Sequence, residues 1–188
     1  MENLDIISTI SDDPILTPTH TSLPDPYPDA ELPPYPAPAA VPPHKGATFI
    51  IRDPQSGLLI TLKDGKLVLA PGDKDNAFVN RDDGRGSHWR CVENKDRWLG
   101  FKNAVSGDFL GHDDNKLEWR FVARVKEHRQ WEFFCVRQHP GGGHELLVKH
   151  WDGFRAMVIG GMDGRELVVG EEGCVGTAWE FLRIYSEG

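Results

Sequence analysis

The chain has 188 residues, 39% of them hydrophobic and 10% aromatic, with a formal net charge of -8. That length suits one domain. The negative charge argues against nucleic acid, whose phosphates demand a basic face, and against an anionic membrane surface.

The N-terminus, "MENLDIISTI", starts acidic and has no apolar signal core. No apolar run approaches the ~18 residues that span a bilayer. A cytoplasmic, intracellular protein is the expectation. Residues 1–45 hold 11 of the 14 prolines and no glycine. Proline fixes φ and donates no hydrogen bond, so this stretch is expected as an irregular tail, disordered or draped on the domain. "PPYPAP" also suits an aromatic-lined partner groove. Three cysteines, Cys91, Cys135 and Cys174, form no C-x-x-C. They read as reduced core thiols, with no metal and no cofactor expected.

The domain begins at Gly46, and its sequence repeats. Trp89, Trp131 and Trp179 stand 42 and 48 residues apart, in "HWRCVEN", "QWEFFCVRQ" and "AWEFLRI". Counting 42 back from Trp89 reaches "GATFIIRD", a fourth copy without its Trp. Between copies run "GLLITLKDGKLVLA", "RWLGFKNAVSGDFLG" and "ELLVKHWDGFRAMVIG", each two apolar strands about a turn with Gly65, Gly107 or Gly153. Glycine accepts the positive φ of tight hairpins. Further short strands, "LEWRFVARV" and "ELVVGEE", follow. The count is about twelve strands and no convincing helix, so the class is all-β. Such a sheet hides its edges by closing. Repeats at about 47–88, 89–130 and 131–188 around one axis would achieve this.

A threefold chain of this pattern resembles the β-trefoil over residues 46–188. "RWLGFKNAVSGDFLG" is most similar to the fascin-like branch, whose units carry a G-x-Y-L element, here Gly57-Leu58-Leu59, Arg97-Trp98-Leu99 and Glu145-Leu146-Leu147. The ricin-type lectin branch is a poorer match. Its Gln-x-Trp triplet is absent, since Ser87, Arg129 and Thr177 stand two before each Trp. The resemblance implies that Trp89, Trp131 and Trp179 fill related barrel layers. It also implies that the last strand seals beside the first. "WEFF" resists strict alternation, because Phe134 and Val136 are apolar on the face opposite Phe133 and Cys135. A bulge and a strand covered on both faces stay open as explanations.

A fold hosts many functions, so sites are sought on the surface. In "VKHWDGFR" the turn carries His150, Trp151, Asp152, Phe154 and Arg155, where "LKDGK" and "KNAVSGD" carry plain turn residues. Aromatic faces stack on sugars or flat ligands, while Asp152 and Arg155 fix polar groups. Capping of a barrel end is the alternative. His112, Asp113 and Asp114 form a second candidate for a hydroxylated ligand, with an ordinary turn as the alternative. No nucleophile elbow, Walker loop or H-E-x-x-H occurs. Three functions are carried. The first is a non-catalytic, fascin-like module that binds a small molecule or a protein, actin entering by resemblance only. The second is a small cyclase or isomerase with a pocket at one barrel end, using an acid such as Glu132 or Glu180. The third is a carbohydrate-binding lectin.

Overall fold

The structure, a computed structural model, describes residues 40–72, 86–113 and 119–184. The Pro-rich stretch up to residue 39 and the candidate Asp114 lie outside the described residues. Alternating apolar positions give β1 (Thr48–Arg52), β2 (Leu58–Lys63), β3 (Lys66–Pro71), β4 (His88–Glu93), β5 (Leu99–Asn103) and β6 (Phe109–His112). They continue as β7 (Phe121–Val125), β8 (Phe134–Gln138), β9 (His144–His150), β10 (Gly153–Gly160), β11 (Glu166–Val169) and β12 (Glu180–Ile184). The sole helical turn among the described residues is the three-residue 3-10 turn η1, Gln130–Glu132. No helix there is long and apolar enough to cross a membrane.

All strand pairs among the described residues are antiparallel. β1 joins β4, β4 joins β5, β5 joins β8, and β8 joins β9. β12 then pairs β1 along its whole length. His144 and Trp179 exchange backbone hydrogen bonds of 2.8 and 2.7 Å, tying β9 to β12. These six strands therefore close a barrel and leave no edge, the solution that short strands require. The other six form the hairpins β2–β3, β6–β7 and β10–β11. The hairpins also bond to one another, Leu69 N–H to Arg165 O at 3.3 Å and Val169 N–H to Trp119 O at 2.9 Å. Six barrel strands and three converging hairpins make this a β-trefoil, in units β1–β4, β5–β8 and β9–β12.

Register aligns the units. Ile51, Phe101 and Val148, all fully buried, pair Phe181, Cys91 and Phe134 in turn. Thr48–Arg52 is thus equivalent to β5 and β9. It lacks a Trp because the Trp-bearing strand is the last of each unit, and β1 is the first. Two turns confirm the alignment. Asp53 accepts from Gln55 and Ser56 N–H at 3.1 Å each, and Asn103 accepts from Val105 and Ser106 N–H at the same distances. In the third unit His150 takes that place, and the turn shortens to Trp151-Asp152. The counterpart of "HWDG" is therefore "DPQSG" and "NAVSG". "LKDG" belongs to a different hairpin, whose Asp64 and Gly65 both adopt positive φ, 50° and 73°, as a two-residue turn requires.

The core holds Phe49, Ile51, Trp89, Cys91, Phe101, Phe134, Trp179 and Phe181, each fully buried. Trp131 is the exception to the expected layer. It sits half-buried in η1, outside the core cluster. The tight turn shifts the last strand of the second unit by one residue, so Phe134 rather than Phe133 matches Cys91 and Phe181. Glu132 then takes the step that Trp89 and Trp179 hold elsewhere. This shift accounts for the apolar Phe134 that broke the alternation. All three cysteines are free, and burial beside Glu93 pushes the Cys91 thiol up to about 12. Chain before Gly46 also packs on the barrel: Val41 N–H donates to Phe181 O at 3.0 Å, Pro43 is buried, and the His44 ring meets Phe49 edge-on at 5.6 Å.

Candidate functional site

The β9–β10 hairpin places two aromatic side chains in solvent, Trp151 at 53% and Phe154 at 40% exposure. Trp151 holds a left-handed φ of 52°. An indole residue is rarely found there, and the conformation costs of order 1 kcal/mol or more. Packing behind the turn sustains it. Trp151 meets Trp131 edge-on at 5.6 Å and His150 at 6.1 Å. His150 is 4% exposed and lies between Trp119 at 4.4 Å and His112 at 5.0 Å. Trp131 covers His112 at 4.4 Å. Trp119, just before β7, also has positive φ, 34°. Five rings from β6, the approach to β7, η1, the end of β9 and the turn thus form one shelf.

Polar atoms within the shelf are fixed differently. The His112 ring nitrogens face Asp113 O at 2.7 Å and Lys149 O at 3.2 Å, which holds the ring in place. His150 Nδ1 makes no hydrogen bond among the described residues. Burial, the nearby His112 and Arg155 hold the His150 pKa below its usual range, so the neutral ring is favoured. Arg155 donates to Glu172 at 3.0 Å and is mostly enclosed. Asp152 stands exposed at the tip. Asp113 separates from His112, its side chain lining a different groove.

A second aromatic file continues from Phe154. It tilts on Trp98 at 5.2 Å, Trp98 stacks with Phe133 at 6.4 Å, Phe133 meets His128 edge-on at 4.9 Å, and His128 stacks on Phe109 at 5.2 Å. The structure therefore joins His150, Trp151 and His112, with Arg155 bearing electrostatically on His150. It adds Trp119 and Trp131, which sequence reasoning missed. The broken alternation at "WEFF" was a signal for Trp131 alone; nothing local pointed to Trp119.

The two carboxylates considered for acid chemistry are engaged elsewhere. Glu180 pairs with Arg52 at 2.6 Å. Glu132 is buried and accepts the Arg129 N–H at 3.1 Å, closing η1; burial raises its pKa. Two cavities found among the described residues, about 830 and 500 Å³, are lined by neither Trp119, Trp131, His150 nor Trp151. The aromatic cluster is a shelf on the surface.

No protein-family model and no curated protein matches this sequence. Solved structures do match in fold. A ricin B-like lectin of Macrolepiota procera, solved in complex with lactose, aligns with TM-score 0.54 at 16% identity, over 76% of this chain and 99% of that one. The BEL β-trefoil aligns with TM-score 0.56 at 14% identity, over 76% and 96%. A mosquitocidal holotoxin aligns with TM-score 0.59 at 11% identity, over 76% of this chain but only 18% of its own length. At such identities the likeness shows the β-trefoil fold.

Proposed function

We propose that this chain is a non-catalytic binding module that takes a carbohydrate on the Trp151 shelf. The observation that carries the reading is Trp151 itself, half-exposed and held in a left-handed conformation by Trp131 and His150. Strain of that kind clusters at ligand sites. An exposed indole offers a flat apolar face for the CH surface of a sugar ring, and Asp152 at the same tip is a hydroxyl acceptor. The lactose-bound lectin among the fold neighbours supports the same class of ligand. The counterpart turns "DPQSG" and "NAVSG" carry no aromatic side chain, which supports a single site at this hairpin.

A glycan array, followed by fluorescence titration with lactose and the best array glycan, tests this. One glycan class should bind saturably, and Trp151→Ala should weaken it by roughly tenfold, the worth of an aromatic stacking contact. An array with no glycan above background, or a Trp151→Ala variant that binds unchanged, would sink the reading. A second reading, a fascin-like module that docks a protein, is favoured by Phe154, a second exposed aromatic side chain on the same hairpin as Trp151. Phe154→Ser then weakens protein capture and leaves the glycan titration unmoved.

A further inference from the structure

A second feature lies at the hairpin end of the molecule. A groove of about 830 Å³ opens beside the hairpins. That volume is within the ~300–1,000 Å³ usual for small-molecule sites. Its floor is formed by Leu69, Phe121 and Leu167, one buried residue from each unit. Its walls carry five cationic side chains: Lys63 and Lys66 from the first unit, Arg120 and Arg124 from the second, and Arg165 from the third.

Three carboxylates line the same groove, and two are engaged. Glu166 pairs with Arg120 at 3.2 Å, and Asp163 accepts the Arg165 backbone N–H at 3.0 Å. Lys63, Lys66, Arg124 and the Arg165 guanidinium have no carboxylate partner among the described residues. Five cations against three carboxylates among the described residues leave the groove positive, in a protein of net charge -8. Local charge, not net charge, decides what a cleft attracts. The third carboxylate adds selectivity. Asp113 Oδ1 is buried with no hydrogen bond among the described residues. It repels a bare anion, but a ligand hydroxyl would satisfy it.

We propose that this groove binds a small polyol bearing several oxyanion esters, a sulfated or phosphorylated sugar. Arg124 and Arg165 present planar forks to the oxyanions, Lys63 and Lys66 supply point charge, and Asp113 takes a hydroxyl. The site is independent of the Trp151 shelf, which contributes no lining residue.

Calorimetric titration at low and at physiological salt tests it. The probes are a heparin-derived tetrasaccharide, a myo-inositol trisphosphate and tripolyphosphate. One ester probe should bind at a single site, more weakly as salt rises, because exposed charges are screened. Which of the two binds tells sulfate from phosphate esters. Tripolyphosphate, charged but with no alcohol hydroxyl for Asp113, should bind roughly tenfold more weakly. The double variant Lys66→Ala/Arg165→Ala removes two exposed side chains, so its melting temperature should hold while affinity drops roughly tenfold or more. Trp151→Ala should bind the ester as the parent does. The proposal falls if neither ester binds at physiological salt, if tripolyphosphate binds as well as the esters, or if the double variant binds unchanged. It falls equally if Trp151→Ala abolishes the binding, since the ester would then occupy the shelf.

Discussion

Trp131 and Trp151, twenty residues apart in the chain, meet edge to face with ring centroids 5.6 Å apart. This contact takes Trp131 out of the barrel layer filled by Trp89 and Trp179 and makes it a support for the exposed indole. Stability should follow that division. Trp89→Ala empties a fully buried site and should cost about 3–5 kcal/mol. Trp131→Ala, at a half-buried position, should cost roughly half as much by area, and should weaken shelf binding as well. Urea denaturation of both variants beside a binding titration decides it. Equal losses of stability with intact binding would return Trp131 to the core.

The left-handed backbone at Trp151 gives a second test. Glycine adopts φ near 52° freely, whereas alanine keeps the strain. Trp151→Gly should therefore be more stable than Trp151→Ala by about 1 kcal/mol, with both variants impaired on the shelf. If the alanine variant matches or exceeds the glycine variant in urea, the turn is not strained.

Acidification should act through His150. Its pKa in the fold lies below its ordinary 6.5, so the unfolded chain binds the proton more readily. The stabilisation is present above pH 6.5 and is lost as pH falls from there through the lowered value. His128 and His144 are lowered by burial too and act with the same sign. Melting temperature should therefore drop across that window, and His150→Gln should make the drop shallower. A slope unchanged in His150→Gln would assign it to the other histidines.

Glu132 should work in the opposite direction. Burial raises its pKa above the ordinary 4.5, so the folded state holds the proton longer. Its contribution is present below pH 4.5 and is lost as pH rises through the raised value. Glu132→Gln keeps an oxygen for the Arg129 N–H and removes the buried charge. It should be more stable than the parent at neutral pH and equal to it in acid. A variant less stable at neutral pH would mean that the charge itself holds η1.

Truncation places the working boundary of the domain. A chain starting at residue 40 keeps the Val41–Phe181 hydrogen bond, buried Pro43 and the His44–Phe49 contact; a chain starting at residue 46 loses all three. The shorter chain should unfold cooperatively but be less stable than the longer one, by about 1–3 kcal/mol. Equal denaturation midpoints would make residues 40–45 a passive lead-in.

The all-β class, the twelve strands and the closure of the last strand on the first were legible because apolar alternation and turn glycines report them directly. Trp89 and Trp179 were legible as core for the same reason. Trp131 was not. A one-residue shift at a 3-10 turn leaves the motif "W-E-F" intact in sequence while moving every side chain after it to a new step. The phase of the repeat was hidden too, since "TFIIRD" resembles the Trp strand in apolar content and differs from it only in its partners. At the hairpin, the excess of aromatics was readable in "HWDGF". Its supports, Trp119 and Trp131, come from segments 32 and 20 residues upstream of Trp151, and no local rule connects them.

The pairing of β1 with β12 has a kinetic consequence. Strand Thr48–Arg52 waits for a partner about 130 residues downstream, so the barrel's last seam depends on a contact of high sequence separation, the kind that slows folding. The seam can be relocated. Linking Ile184 to Thr48 and opening the chain in the glycine loop at 141–143 would turn the most distant pair into a neighbouring hairpin. The stretch between β8 and β9, a tight local connection in the parent, would become the late seam instead. The permuted chain should fold faster to the same barrel, with β1 and β12 meeting first.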